Sequence, residues 1–100
     1  MSKKNKEDIL SNEFKVAAQI YECNNKDENV WFTKLVGLLE GEMSSSTVMK
    51  SLRTLFDFGI VKAQYGETDK GRAGRLLFIA GESKDTIRQI YEEFWIKRHS

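Results

Sequence analysis

At Gly59 the sequence changes period. Upstream of it, Val48, Met49, Leu52, Leu55 and Phe56 repeat on one face of a helix that runs from Ser45 to Phe58. Downstream, Ile60-Val61-Lys62-Ala63-Gln64-Tyr65 and Arg75-Leu76-Leu77-Phe78-Ile79-Ala80 are strand-like runs. Between them lies the polar, glycine-bearing loop 66–74, GETDKGRAG. Gly59 supplies a left-handed stop to the helix, and the two runs then form a hairpin. Apart from Val30-Trp31-Phe32, a stub too short to be more than a fragment of strand, nothing else in the chain reads as β. The sheet is therefore small, and helices must supply most of the core.

Three further segments supply them. From about Glu7 to Cys23, Leu10, Phe14, Ala17 and Tyr21 fall at i, i+4, i+7 and i+11, with Ile9, Val16 and Ile20 beside them, which predicts an amphipathic helix. It ends in the polar run 24–29. Thr33 caps a second helix over 34–40, with Leu35, Val36, Leu38 and Leu39 apolar, and Gly41-Glu42-Met43 makes a tight connection. Ser44 is a good N-cap for the helix that leads to Gly59. After Gly81, the spacing of Ile87, Ile90, Tyr91, Phe94 and Trp95 predicts a last helix, opened by Glu82 or Ser83 and ending near Arg98. The predicted order is α-β-α-α-β-β-α: a mainly α chain with a small antiparallel hairpin (α+β), the arrangement of a winged helix-turn-helix. It divides into a flexible basic arm (1–6), a winged-helix domain (7–81) and a terminal helix (82–100).

The chain of 100 residues has room for one domain, and it holds no transmembrane run, signal peptide or lipid-attachment site. Cys23 is the one cysteine, which excludes an intramolecular disulfide and a thiolate metal cluster and points to a reducing cytoplasm. Net charge is only +1, but its distribution is uneven. Residues 44–80 hold six basic and three acidic side chains, against six and eight in residues 1–43. The middle of the chain is where nucleic acid would dock. Catalysis has little support. His99 stands next to the last residue, no nucleophile–His set can be assembled around it, and no glycine motif cradles a phosphate. No metal site and no cofactor is expected.

The stretch Ser46-Thr47-Val48, Leu52, Leu55 and Gly59-Ile60-Val61 resembles the recognition helix and exit of the winged-helix transcriptional regulators, most similarly the MarR-like and related small archaeal and bacterial repressors. Asp69 to Arg72 resembles their wing, with DKGR one residue longer than the usual D-x-R. The resemblance covers about residues 29–80, and the chain is shorter than MarR proteins. It implies sequence-directed binding of double-stranded DNA by a homodimer, one helix in the major groove and the hairpin at the neighbouring minor groove or phosphates.

The expected contacts on the helix are Ser45, Ser46, Thr47, Lys50, Ser51, Arg53 and Thr54. Small hydroxyl residues let the tip approach phosphates and base edges, where the helix dipole adds partial positive charge. Lys50 and Arg53 can neutralise phosphate, and Arg53 can read guanine bidentately. Lys70, Arg72 and Arg75 are the expected wing contacts, with Asp69 orienting a wing arginine. The apolar stripe of the last helix, Ile87, Ile90, Tyr91, Phe94 and Trp95, is the expected dimer seam, because one small core cannot readily cover it. No small-molecule effector is identifiable. The alternative is a winged-helix protein–protein interaction module of a larger assembly, in which the polar helix face and hairpin meet solvent or protein.

Overall fold

A computed structural model of the chain describes residues 11–68 and 71–96, with only the backbone at Phe94. The basic arm, Asp69, Lys70 and His99 lie outside the described residues. The elements are α1 (Asn12–Asn25), α2 (Phe32–Leu38), α3 (Ser45–Asp57), β1 (Val61–Glu67), β2 (Ala73–Ile79), a 3-10 turn (Gly81–Ser83) and α4 (Lys84–Ile90), which runs on into a π-helical turn (Tyr91–Trp95). The expected mainly α architecture with one antiparallel hairpin is the one observed.

Helix α1 is the centre of the molecule. Ser11 caps it, its hydroxyl accepting from Phe14 N–H at 3.3 Å. Val16, Ala17, Ala18, Gln19 and Ile20 are five consecutive buried residues, so this helix is covered on nearly every side. It packs against α2, α3, α4, the π turn and β2. Ala17 and Ala18 let neighbouring helices come close. Phe14, expected on the buried face, is instead 37 % exposed. Cys23 is buried beneath this packing, which pushes its thiol pKa up.

The stub of strand at 30–32 is not observed. Val30 contributes one ladder-like bond, its carbonyl accepting from Leu77 N–H at 2.8 Å, and the chain then turns directly into α2. This helix begins at Phe32 rather than Lys34, with Trp31 as its N-cap and Thr33 inside its first turn. Asn24, whose composition suggested a turn, takes up part of the missing strand's work. Its amide donates to Leu77 O at 3.1 Å, and its carbonyl oxygen accepts from Ile79 N–H at 3.0 Å. One side chain thus satisfies the exposed edge of β2 as a neighbouring strand would.

The hairpin is longer than expected. Its register pairs Val61 with Ile79, Tyr65 with Arg75 and Gly66 with Gly74, so these two glycines lie in the ladder and not in the loop. A Cβ on Gly66 would stand 2.7 Å from Leu76 Cδ1, so a larger residue there would have to displace the end of that side chain. The turn itself is short: Thr68 N–H donates to Arg72 O at 2.8 Å and Gly71 N–H to Thr68 O at 3.0 Å.

Helix α3 ends as the sequence predicts. Gly59 has φ +72°, its N–H donates to Phe56 O at 3.0 Å, and Ile60 N–H donates to Leu55 O at 2.9 Å. This double bond is the Schellman closure. Gly59→Val places a β-branched residue in the left-handed region and is expected to cost about 1–2 kcal/mol. A urea unfolding midpoint unchanged by this substitution would contradict it.

The terminal helix does not behave as a free seam. Ile87 is 2 % and Trp95 1 % exposed, both within the core of this chain. Ile90 and Tyr91 pack partly against the same core, and the Phe94 side chain lies outside the described residues. The π turn explains how Trp95 gets there. Its i→i+5 bonds carry one more residue per turn than an α-helix, so rotation per residue falls and Trp95 swings back in line with Ile87. Tyr91 is pinned to α1, its hydroxyl donating to Glu22 Oε1 at 3.1 Å and its ring tilted against Tyr21 at 5.2 Å. Burial, followed by the Glu22 carboxylate, pushes the Tyr91 pKa up to about 12. Among the described residues no helix is long and apolar enough to cross a membrane.

Candidate nucleic-acid interface

Helix α3 begins at Ser44, whose hydroxyl accepts from Thr47 N–H at 3.2 Å and lies 3.1 Å from Thr47 Oγ1. Ser44 is therefore the cap, and Ser45 and Ser46 are left exposed at the tip. Thr47 is half-buried and engaged with the cap. The opening of this helix thus divides its hydroxyls between closing the helix and facing solvent.

The buried stripe is Val48, Ser51, Leu52 and Leu55, at i, i+3, i+4 and i+7. The apolar character of Met49 suggested that it belonged there. It stands about 100° round the helix from Val48 and is 43 % exposed. Ser51 takes the place in the stripe instead and is 1 % exposed. Ser51 is consequently removed from the set of residues that can touch DNA. Its position is decided by helical phase, which outweighs its polarity.

The outward stripe is Ser46, Lys50, Arg53 and Asp57, at i, i+4, i+7 and i+11, all exposed. Among the described residues neither Lys50 nor Arg53 is paired with a carboxylate. Asp57 closes the stripe with a negative charge, so an anion meets attraction only over the first three turns. Thr54 is half-buried, and its hydroxyl donates to Lys50 O at 3.2 Å, inside the helix's own backbone.

The hairpin reaches α3 through Arg75. Its guanidinium lies over the Phe56 ring, 5.4 Å from the centroid. Phe56 follows Arg53 by three residues and Met49 by seven, so all three share one flank of α3. Arg75, in the half of the ladder nearer the turn, thus docks the hairpin beside the outward stripe. Arg72 is exposed at the turn, immediately after Gly71 at φ +74°. Tyr65, opposite Arg75 in the ladder, continues the strand face of Val61 and Ala63 past the end of the core and is 80 % exposed.

Sequence reasoning passed over Trp31 and Lys34. The Lys34 ammonium stands 5.2 Å from the Trp31 ring centroid and donates to Asn29 O at 2.8 Å. Asn29 in turn donates from its side chain to Glu67 O of β1 at 3.1 Å. The entry to α2 is thereby tied to the hairpin. An aromatic residue three positions before a lysine at a helix start was the available signal.

No family model and no curated protein matches the sequence. Among solved structures, the chain is similar to SSV1 F-93, with 19 % identity, a TM-score of 0.68, and 97 % of this chain and 96 % of that one covered. It is also similar to the circadian clock associated protein Pex from Anabaena, with 16 % identity, a TM-score of 0.67, and coverage of 90 % and 82 %. Pex from Synechococcus sp. matches with 22 % identity, a TM-score of 0.62, and coverage of 91 % and 85 %. At these identities the likeness is one of fold, and it extends over nearly the whole chain: helix pair, hairpin and flanking helices together form a winged helix.

Proposed function

We propose that this chain is a DNA-binding transcriptional regulator that places α3 in the major groove and the turn at Arg72 on the adjacent minor groove or phosphates. The observation that carries this reading is the docking of Arg75 on Phe56, beside the unpaired cations Lys50 and Arg53. It sets the cationic hairpin and the outward stripe of α3 on one flank. The contact set is Ser45, Ser46, Lys50, Arg53, Arg72 and Arg75, with Thr47 and Thr54 at its margin. Lys70 is proposed on its sequence position alone. The resemblance to MarR-like repressors supports the same use of the two elements.

Arg53→Ala is expected to weaken binding to a duplex about tenfold at low salt, through loss of one phosphate contact. Gel-shift titration reads this directly. The second reading, a protein-interaction module, is favoured by Phe58 and Tyr65, which are 76 % and 80 % exposed. Absence of any shift at tens of micromolar protein in low salt, where non-specific binding alone should register, would favour it.

A homodimer remains part of the first reading, through a different surface from the one the sequence suggested. Phe14 on α1 and Ile96 just after the π turn are 37 % and 43 % exposed, and α1 packs on the π turn that Ile96 follows. Sedimentation is expected to give a species of two chains, returned to one by Phe14→Ser. A single-chain mass for the unsubstituted protein at tens of micromolar would remove the dimer.

A further inference from the structure

We propose that Met49 reads thymine, its thioether side chain packing on the methyl group that thymine presents in the major groove. The inference rests on the duplex reading and deepens it, adding an apolar, base-specific contact to a set made of hydroxyls and cations. The position of Met49 carries it. This residue is 43 % exposed on α3. Round the helix axis it lies between Arg53, about 40° to one side, and Phe56, about 20° to the other. Arg75 lies over the Phe56 ring, so the thioether has an arginine on either side. Ser45 and Ser46, four and three positions earlier, are small and exposed. Long side chains on a helix lean toward its N-terminus. Met49 is therefore the large apolar group at the tip, the part of a recognition helix that comes closest to base edges.

The chemistry of the groove floor selects what such a group can meet. Base edges there are hydrogen-bond donors and acceptors, and a thioether is at best a weak acceptor. Set against guanine, adenine or cytosine, Met49 would strip water from polar groups and return no strong bond. The thymine methyl is the one apolar feature among the four bases. Phosphate contacts from Arg53 and Arg75 on either side would hold the helix down on it. An unbranched, polarizable side chain can follow the methyl without a fixed geometry.

The test uses the whole chain and two short duplexes of alternating adenine and thymine, one with every thymine replaced by uracil. They differ in composition only by the methyl groups, and the alternation offers α3 a methyl in every register. Anisotropy of the labelled duplexes in low salt gives both affinities. The thymine duplex is expected to bind about fourfold more tightly for each Met49 seated, the worth of one buried methyl group. Met49→Gln, of similar length but polar, should bring the ratio to about one, and Met49→Leu should keep the preference. Arg72→Ala should weaken both duplexes alike and leave the ratio as it was. Met49 stands outside the buried stripe, so its substitutions leave the fold intact. Equal affinities for the two duplexes would overturn the thymine contact and leave the duplex reading standing. A preference that survives in Met49→Gln would do the same, since it would belong to the stiffness of the duplex and not to this side chain. No binding of either duplex would overturn both.

Discussion

Raising the salt from about 50 to about 200 mM is expected to weaken duplex binding roughly a hundredfold. Each phosphate neutralised by a lysine or arginine releases condensed counterions, and log affinity falls by about 0.9 per contact for each unit of log salt. Lys50, Arg53, Arg72 and Arg75 offer four such contacts, so the slope should lie between about −3 and −4. Replacing any one of them by alanine should flatten it by about one. The effect is large for a chain whose net charge is only +1. It depends on where the charges sit, because the acidic residues of 1–43 are carried mainly on other elements. A slope near zero would show that these cations do not meet phosphate, and the duplex reading would go with it.

Trp95→Ala is expected to destabilise the fold by about 3–5 kcal/mol, the usual result of emptying a buried aromatic site. Domains of this size have total stabilities near the low end of about 5–15 kcal/mol, so the variant should be substantially unfolded at room temperature. Trp95→Phe should recover a large part of the loss. Urea unfolding followed by circular dichroism measures both. The same experiment distinguishes a core residue from a seam residue. Trp95 is enclosed by its own chain, so the loss should not depend on protein concentration. A destabilisation that fades as concentration rises would place Trp95 between two chains and restore the expected seam. Phe58→Ala, at 76 % exposure, is the matched control and should shift stability by no more than about 0.5 kcal/mol.

The winged helix was readable because its signals are local. Ser44 as cap, the period of Val48, Leu52 and Leu55, Gly59 as stop and the two strand runs each depend on residues within a few positions of one another. Each of these features stands in the structure, the two strands running further toward the turn than expected. The exposed cations Lys50, Arg53, Arg72 and Arg75 were also found, because charged side chains rarely leave water without a partner.

What escaped the sequence depends on phase and on distant neighbours. Ser51 looks polar and Met49 apolar, yet packing of α3 on α1 turns Ser51 in and Met49 out. A one-position error about the helix axis is enough to exchange them. The stub of strand at Val30 lost most of its pairing to Asn24, fifty-three residues before its partner Leu77. No local pattern announces a side chain that imitates a strand. Trp95 was assigned to a seam because one small core was expected not to cover the last helix, whereas the chain's own core encloses it together with Ile87.

Chain order, element types and the charge of the outward helix face follow from near-neighbour chemistry: capping, hydrophobic period and the reluctance of ions to desolvate. Which side chains close the core, how the hairpin leans on Phe56, and the tie from the start of α2 through Asn29 to Glu67 of the hairpin are matters of contact between segments far apart in the chain. Such contacts are set by shape and close packing among all the elements at once, and no short stretch of residues encodes them.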